Sequence, residues 1–254
     1  KASSAYNFGR VDAGIGTDDY TRLTLDYNAA ISDTAAVRAN ALWADETKPG
    51  REGIEAARSG VQLSGVLEAT DKLSFIADAY YLKAEDVPDL GSYFDREARK
   101  PIEDIPVYAQ SEDFQNSEVS TFTLRTTYEI SESLRFYNAT RAGATENEYI
   151  VTGLRSGKRH ATDTLAPNTD TFSLSDHQGS QEVDYVASQF NLFWDVNTGG
   201  LEHKWVFGVE YSDESVENGT FTLSESNAPN CALENRRNPT GDPSDGFCIM
   251  DGSG

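Results

Sequence analysis

Thr21 to Ala29 reads TRLTLDYNA. Leu23, Leu25 and Tyr27 fall on one side of this stretch, and Arg22, Thr24, Asp26 and Asn28 on the other. Strict alternation has the period of a β-strand and not of a helix. A short polar link, Ala30-Ile31-Ser32-Asp33-Thr34, leads to Ala36–Trp43, where Val37, Ala39, Ala41 and Trp43 oppose Arg38 and Asn40. The pattern recurs down the chain. Lys72 to Tyr81 sets Leu73, Phe75, Ala77, Ala79 and Tyr81 against Lys72, Ser74 and Asp78. Thr121 to Tyr128 sets Phe122, Leu124 and Tyr128 against Thr121, Thr123, Arg125 and Thr127. His203 to Tyr211 sets Trp205, Phe207, Val209 and Tyr211 against Lys204, Gly208 and Glu210.

Nine strands follow from this reading: Phe8–Ile15, Thr21–Ala29, Ala36–Trp43, Gly60–Leu67, Lys72–Leu82, Ser120–Ile130, Leu134–Arg141, Asp184–Trp194 and Glu202–Tyr211. No segment carries a helical stripe. Alternate connections are tight: Ala30 to Thr34, Glu68 to Asp71, Ser131 to Ser133, and Asp195 to Gly200 with its turn-forming Asn197 and Gly199-Gly200. The others, apart from Gly16 to Tyr20, are expected to be long polar loops: Ala44 to Arg58, Lys83 to Val119, Ala142 to Val183, and Ser212 onward. In an antiparallel meander the short turns then share one end of the sheet and the long loops the other. Structureless loops of more than ~15 residues are foreign to a compact soluble domain. They suit an up-and-down transmembrane β-barrel with short periplasmic turns, long extracellular loops and strands of about ten residues, apolar outward and polar inward. Closure of such a barrel satisfies every backbone donor and acceptor without water. Tyr27, Trp43, Tyr80, Tyr81, Tyr128, Tyr137, Trp194, Trp205 and Tyr211 are expected near strand ends, as an interfacial girdle. The competing reading, an extracellular β-sandwich adhesin or binding module, requires two buried faces and short turns at both ends.

Composition agrees with a water-filled interior. The 254 residues carry 21 Lys and Arg against 42 Asp and Glu, a net charge of −21, with a mean hydropathy of −0.54. Phosphate neutralisation needs clustered cations, so no nucleic-acid partner is expected. No apolar run approaches the ~18–20 residues of a spanning helix, and no apolar leader follows Lys1. Catalytic spacing is absent. His160, His177 and His203 lie far apart, Gly153–Arg159 lacks the spacing and hydroxyl of a phosphate loop, and no metal is expected. Cys231 and Cys248 lie in a polar, Pro/Gly/Asn-rich stretch that suits a loop-closing disulfide in an oxidising compartment; two unrelated free thiols are the alternative.

Several stretches, taken in order, resemble a known family. Asp33 to Trp43, DTAAVRANALW, follows a tight turn and leads to Lys48-Pro49-Gly50-Arg51-Glu52. Then come Ser59 to Leu63, Tyr80-Tyr81-Leu82 and the loop Val87-Pro88-Asp89-Leu90-Gly91. This succession resembles the early barrel of TonB-dependent outer-membrane receptors, specifically those for ferric siderophores of the catecholate type, from about Val11 to Tyr211. The resemblance implies a barrel of 22 strands, a plug domain that fills it and a TonB box. Residues 1–254 are then expected to be part of the barrel domain only, without plug or later strands, because nine strands cannot close by the even-numbered rule of such barrels.

The implied place is the bacterial outer membrane, and the implied activity is siderophore transport without catalysis. The implied partners are a ferric siderophore, outer-membrane lipid and lipopolysaccharide, and TonB through the plug. No cofactor is implied, iron being cargo. Receptors for haem, vitamin B12 or glycans share the barrel and stay open as alternatives. An anionic ferric catecholate calls for cations and aromatic rings in the outer vestibule. The candidate ligand residues are Tyr93, Phe94 and Arg96 in one expected external loop and Arg155, Lys158 and Arg159 in another. The alternative is that these bases pair with lipopolysaccharide phosphates or neighbouring carboxylates. Arg38, Arg125, Arg135 and Arg141 are expected to line the lumen wall and contact the plug.

Overall fold

The short turns organise the sheet. Ser32, Thr70 and Ser131 each stand at the entry to a hairpin, where their hydroxyls accept the backbone N–H of Thr34 (3.3 Å), Leu73 (3.0 Å) and Ser133 (3.4 Å). Each of these hairpins also carries a bulge just before the turn, which leaves Ile31, Ala69 and Ile130 out of register. The fourth turn uses Gly199 and Gly200, both at positive φ (58° and 86°). That geometry matches the strand twist and is readily adopted only by glycine or a few polar residues.

In the computed structural model the described residues are all of 1–254 except 52, 92, 93, 96–98, 102–106, 108, 110–112, 157–170, 222–230 and 233–254. The strands are β1 Phe8–Ile15, β2 Thr21–Ser32, β3 Ala35–Thr47, β4 Glu55–Thr70, β5 Leu73–Asp86, β6 Phe94–Asp95, β7 Lys100–Pro101, β8 Phe114–Ser131, β9 Leu134–Ser156, β10 Thr171–Thr198, β11 Leu201–Gly219 and β12 Cys231–Ala232. The long strands form one antiparallel sheet in the order β1-β2-β3-β4-β5-β8-β9-β10-β11, so all nine expected strands are present and neighbours in sequence are neighbours in space. The two-residue strands β6 and β7 pair with each other, and β12 pairs with the start of β10.

The register carries one apolar face across the whole sheet. Tyr27 lies opposite Ala39, Ala39 opposite Leu63, Leu63 opposite Ala79, Ala79 opposite Phe122, Phe122 opposite Ala142 and Ala142 opposite Val186. A slip of one residue anywhere would put the next strand's apolar set on the polar side. Leu23, Leu25, Val37, Phe122, Trp205, Phe207 and Val209 are all exposed, and Leu73, Phe75, Leu124 and Phe136 on the same face are half-buried. Among the described residues the buried apolar side chains are small or aliphatic, and no Phe, Tyr or Trp is buried. A sandwich core is therefore absent from them. An apolar face of this breadth needs lipid as its solvent, and the band is nine or ten residues tall on the inner strands, the height of a bilayer core.

Two features differ from expectation. The stretches Ala142–Ser156, Thr171–Val183 and Ser212–Gly219, expected as loop, continue β9, β10 and β11. Above the apolar band the outward face turns acidic: Glu118 lies opposite Glu146, Glu146 opposite Glu182 and Glu182 opposite Glu217. Both faces there meet water, so the alternation fades while the ladder goes on. Second, Tyr80 and Tyr137 do not belong to the girdle. Tyr80 pairs with Gln62 and Thr121, and Tyr137 with Thr127 and Asn191, all on the polar face. Trp43, Tyr81, Tyr128, Trp194, Trp205 and Tyr211 keep the outward face, and Trp194 stands directly opposite Trp205.

Candidate functional site: the lumen wall and outer loops

The polar face is built from ion pairs along and across its strands. Arg10 and Asp12 on β1 meet at 2.7 Å, Arg38 on β3 reaches Asp26 on β2 at 2.6 Å, and Arg125 on β8 pairs with Asp78 on β5. Higher up, Arg58 donates from both terminal nitrogens to Asp86 at 2.7 Å each. Arg135 lies over the Phe193 ring, 4.5 Å from its centroid. Of the four wall arginines singled out from the sequence, Arg38, Arg125 and Arg135 are thus engaged within the wall. Arg141 is exposed and has no ion pair, hydrogen bond or ring contact among the described residues.

The same face holds the first residues of the chain. Asn28 is completely buried. Its amide donates to the carbonyls of Ser3 (2.9 Å) and Tyr6 (2.7 Å), and its oxygen accepts the Ser3 N–H at 2.9 Å. Arg38 adds a bond to the Lys1 carbonyl and lies 5.2 Å from the centroid of the Phe8 ring. Residues 1–7 are therefore strapped to the polar side of β2 and β3. Asn28→Ala removes three bonds to the backbone of residues 3 and 6, a loss of about 2 kcal/mol for the strap. Hydrogen exchange at the Ser3 amide of the intact protein is expected to speed up more than tenfold, with the β4–β5 amides unchanged.

The outer loops are tied to each other. The two motifs quoted above, around Arg51 and around Asp89, meet in space: Arg51 Nε donates to Asp89 Oδ2 at 2.5 Å, and Asp89 Oδ1 accepts the Gly91 N–H at 2.9 Å. Both side chains are about five-sixths buried, at 16% and 17% exposure. Ile54, Val107 and Ala109 pack beside them as a small buried cluster with Val87 against it. Buried Asp113 accepts the backbone N–H and hydroxyl of Thr152, which fastens the far end of the same loop to β9. Asp89→Ala removes the carboxylate that joins Arg51 to the Gly91 turn in a largely buried place, and the local cost is about 2 kcal/mol. The expected result is faster proteolytic nicking between Val87 and Asp113 on intact cells.

The loop candidates divide as follows. Phe94 lies in β6, opposite Pro101, and Arg155 lies within β9, opposite Ser173, not in a loop as expected. Tyr93, Arg96, Lys158 and Arg159 lie outside the described residues. Cys231 lies in β12, opposite Phe172, while Cys248 is outside them.

No family model matches the chain. Curated relatives do. The chain is 24% identical over 232 residues to the probable TonB-dependent siderophore receptor PiuA of Acinetobacter baumannii, which covers 88% of this chain and 30% of PiuA. It is 25% identical over 221 residues to the catecholate siderophore receptor Fiu of Escherichia coli K12, covering 81% and 29%. Its homologues are TonB-dependent siderophore receptors of the outer membrane. The chain spans about three-tenths of the length of these relatives. Among solved structures, the closed form of the ferric-catecholate import receptor Fiu of E. coli K12 superposes with a TM-score of 0.75 at 22% identity, over 91% of this chain and 34% of Fiu. The ferripyoverdine receptor of the Pseudomonas aeruginosa outer membrane gives 0.73 at 14%, over 89% and 30%. The open sheet is thus an arc of an outer-membrane barrel wall, with its apolar face toward lipid and its polar face toward the lumen.

Proposed function

We propose that this chain is part of the barrel of a TonB-dependent outer-membrane receptor that imports ferric siderophores of the catecholate type. The observation that carries the reading is the match to catecholate receptors over more than four-fifths of the chain, in a sheet whose one continuous apolar face needs lipid. Transport needs no catalysis by the wall. Iron passes as cargo, energy arrives from TonB through a plug in the remainder of the receptor, and lipid and lipopolysaccharide surround the band. Nucleic acid has no part. Tyr93, Phe94, Arg96, Arg155, Lys158 and Arg159 supply cations and rings for first capture at the outer mouth.

Cells in which the full-length receptor is the route for catecholate iron are expected to accumulate radiolabelled iron given as iron(III) tris(catecholate), and to lose uptake when the receptor or TonB is deleted. Undiminished uptake after receptor deletion, with loss of growth on haem, vitamin B12 or a glycan instead, would reassign the ligand.

Cys231 and Cys248 are proposed to be bonded at the same mouth. Such a bond closes a loop with 16 residues between the sulfurs, for which chain entropy gives about 3 kcal/mol. Alkylation of the unfolded receptor is expected to label neither cysteine until a reductant is added; labelling before reduction refutes the bond.

A further inference from the structure

Among the described residues Arg38, Arg58, Arg125 and Arg135 have each taken a partner from within the lumen wall, whereas Arg141, like Arg22 on β2, has not. This is a property of its surroundings, since the chain has twice as many carboxylates as cations. Arg141 lies between Thr123 on β8 and Ala187 on β10, and its same-face neighbours along β9 are Ala139 and Gly143. None of the four is a carboxylate, and none is long enough to cover the guanidinium. The nearest acid on the Thr123 side, Asp78, is held by Arg125.

One step higher on the same face stands a ring. Tyr185 is opposite Gly143, and a Cβ built on Gly143 would come within 2.7 Å of the Tyr185 ring and hydroxyl. The hydroxyl end of the ring therefore lies over the glycine, where any larger residue would displace it. Tyr80 and Thr121 continue that row away from Tyr185. An unengaged, exposed guanidinium thus borders a tyrosine pinned against the wall, over a floor of alanine, glycine and threonine, with Glu214 of β11 on the far side of the tyrosine.

We infer that Arg141 and Tyr185 form a subsite on the lumen wall for a planar, anionic aromatic ligand group, level with the upper edge of the apolar band on the import path. The inference rests on the siderophore reading above and locates a contact for it. A catecholate ring presents two adjacent oxygens, which match the fork of a guanidinium, and a flat face that stacks against a phenol. The small floor leaves room for the ligand ring beside Tyr185. The competing occupant is a carboxylate of the plug, in which case Arg141 serves assembly and not binding.

The test uses the full-length receptor in cells lacking other catecholate receptors, with radiolabelled iron(III) tris(catecholate) as the probe and receptor number counted by antibody. Arg141→Gln is expected to raise the half-saturating concentration about tenfold per receptor, the loss of one charge-assisted contact. Arg141→Lys is expected to recover part of that loss, because it restores charge without the fork. Gly143→Ala, which pushes the Tyr185 ring off its seat, is expected to raise half-saturation about threefold, and Lys72→Gln, on a periplasmic turn, to leave it unchanged. If wild type binds the probe and Arg141→Gln binds it at the same half-saturation, whether receptor number is normal or reduced, this inference is overturned and the siderophore reading stands. If wild type does not bind the probe, the siderophore reading falls, and the subsite with it.

Discussion

Diluted from urea into detergent micelles, this 254-residue chain alone is expected to aggregate, and to show none of the heat-modifiable gel migration of a folded barrel. β1 and β11 end the sheet on either side. Within the band, alternate residues of Val11–Ile15 and Trp205–Tyr211 direct backbone N–H and C=O groups away from the sheet. Each such group left bare in hydrocarbon costs several kcal/mol, so two edges together exceed the 5–15 kcal/mol by which a typical protein is stable. A full-length receptor of the proposed kind, with further strands over both edges, is expected to refold under the same conditions. A cooperative, heat-modifiable band from the isolated chain would show that β11 had found β1 or a second copy, and the receptor assignment would lose its main structural support.

The second large effect separates the two faces of one strand. Leu63 and Gln62 are neighbours on β4. Leu63 is 53% exposed on the lipid side between Ala39 and Ala79, and Gln62 sits on the lumen side between Asn40 and Tyr80. In the full-length receptor folded into vesicles, Leu63→Arg is expected to cost about 2–4 kcal/mol, the cost of a cation near mid-bilayer. Gln62→Arg faces water and is expected to stay within about 1 kcal/mol of wild type. Urea titration of tryptophan fluorescence measures both. Equal effects at the two positions would mean that the apolar face meets something other than lipid.

Much of this architecture is readable without coordinates because lipid and water impose opposite demands on alternate residues. That is why Thr21–Ala29 and His203–Tyr211 declare themselves. Where both faces meet water the signal stops: nothing in Glu146, Asn147, Glu148 and Tyr149 distinguishes a strand from a loop, although all four lie in the β9 ladder. Tyr80 and Tyr137 were open to correct assignment by parity alone, since each adjoins an outward residue. The meeting of Arg51 with Asp89 was not, because loop contacts 38 residues apart follow no period. The isolation of Arg141 depends on register. Asp78 lies opposite Thr123 yet reaches diagonally to Arg125, and only the assembled sheet shows that the nearest acid on that side of Arg141 is already held.

The length of β10 has a consequence for the cell surface. Its 28 residues, at about 3.3 Å each, span roughly 90 Å. A tilt of about 45° turns this into a height of about 65 Å, of which the hydrocarbon band takes about 25 Å. The wall therefore stands about 40 Å clear of the lipid, a turret more than a pore. At that height the mouth lies above the headgroups, where a diffusing ligand meets it before reaching the membrane. The same elevation leaves the crown of β9 and β10 open to antibodies from outside the cell in a receptor of the proposed kind.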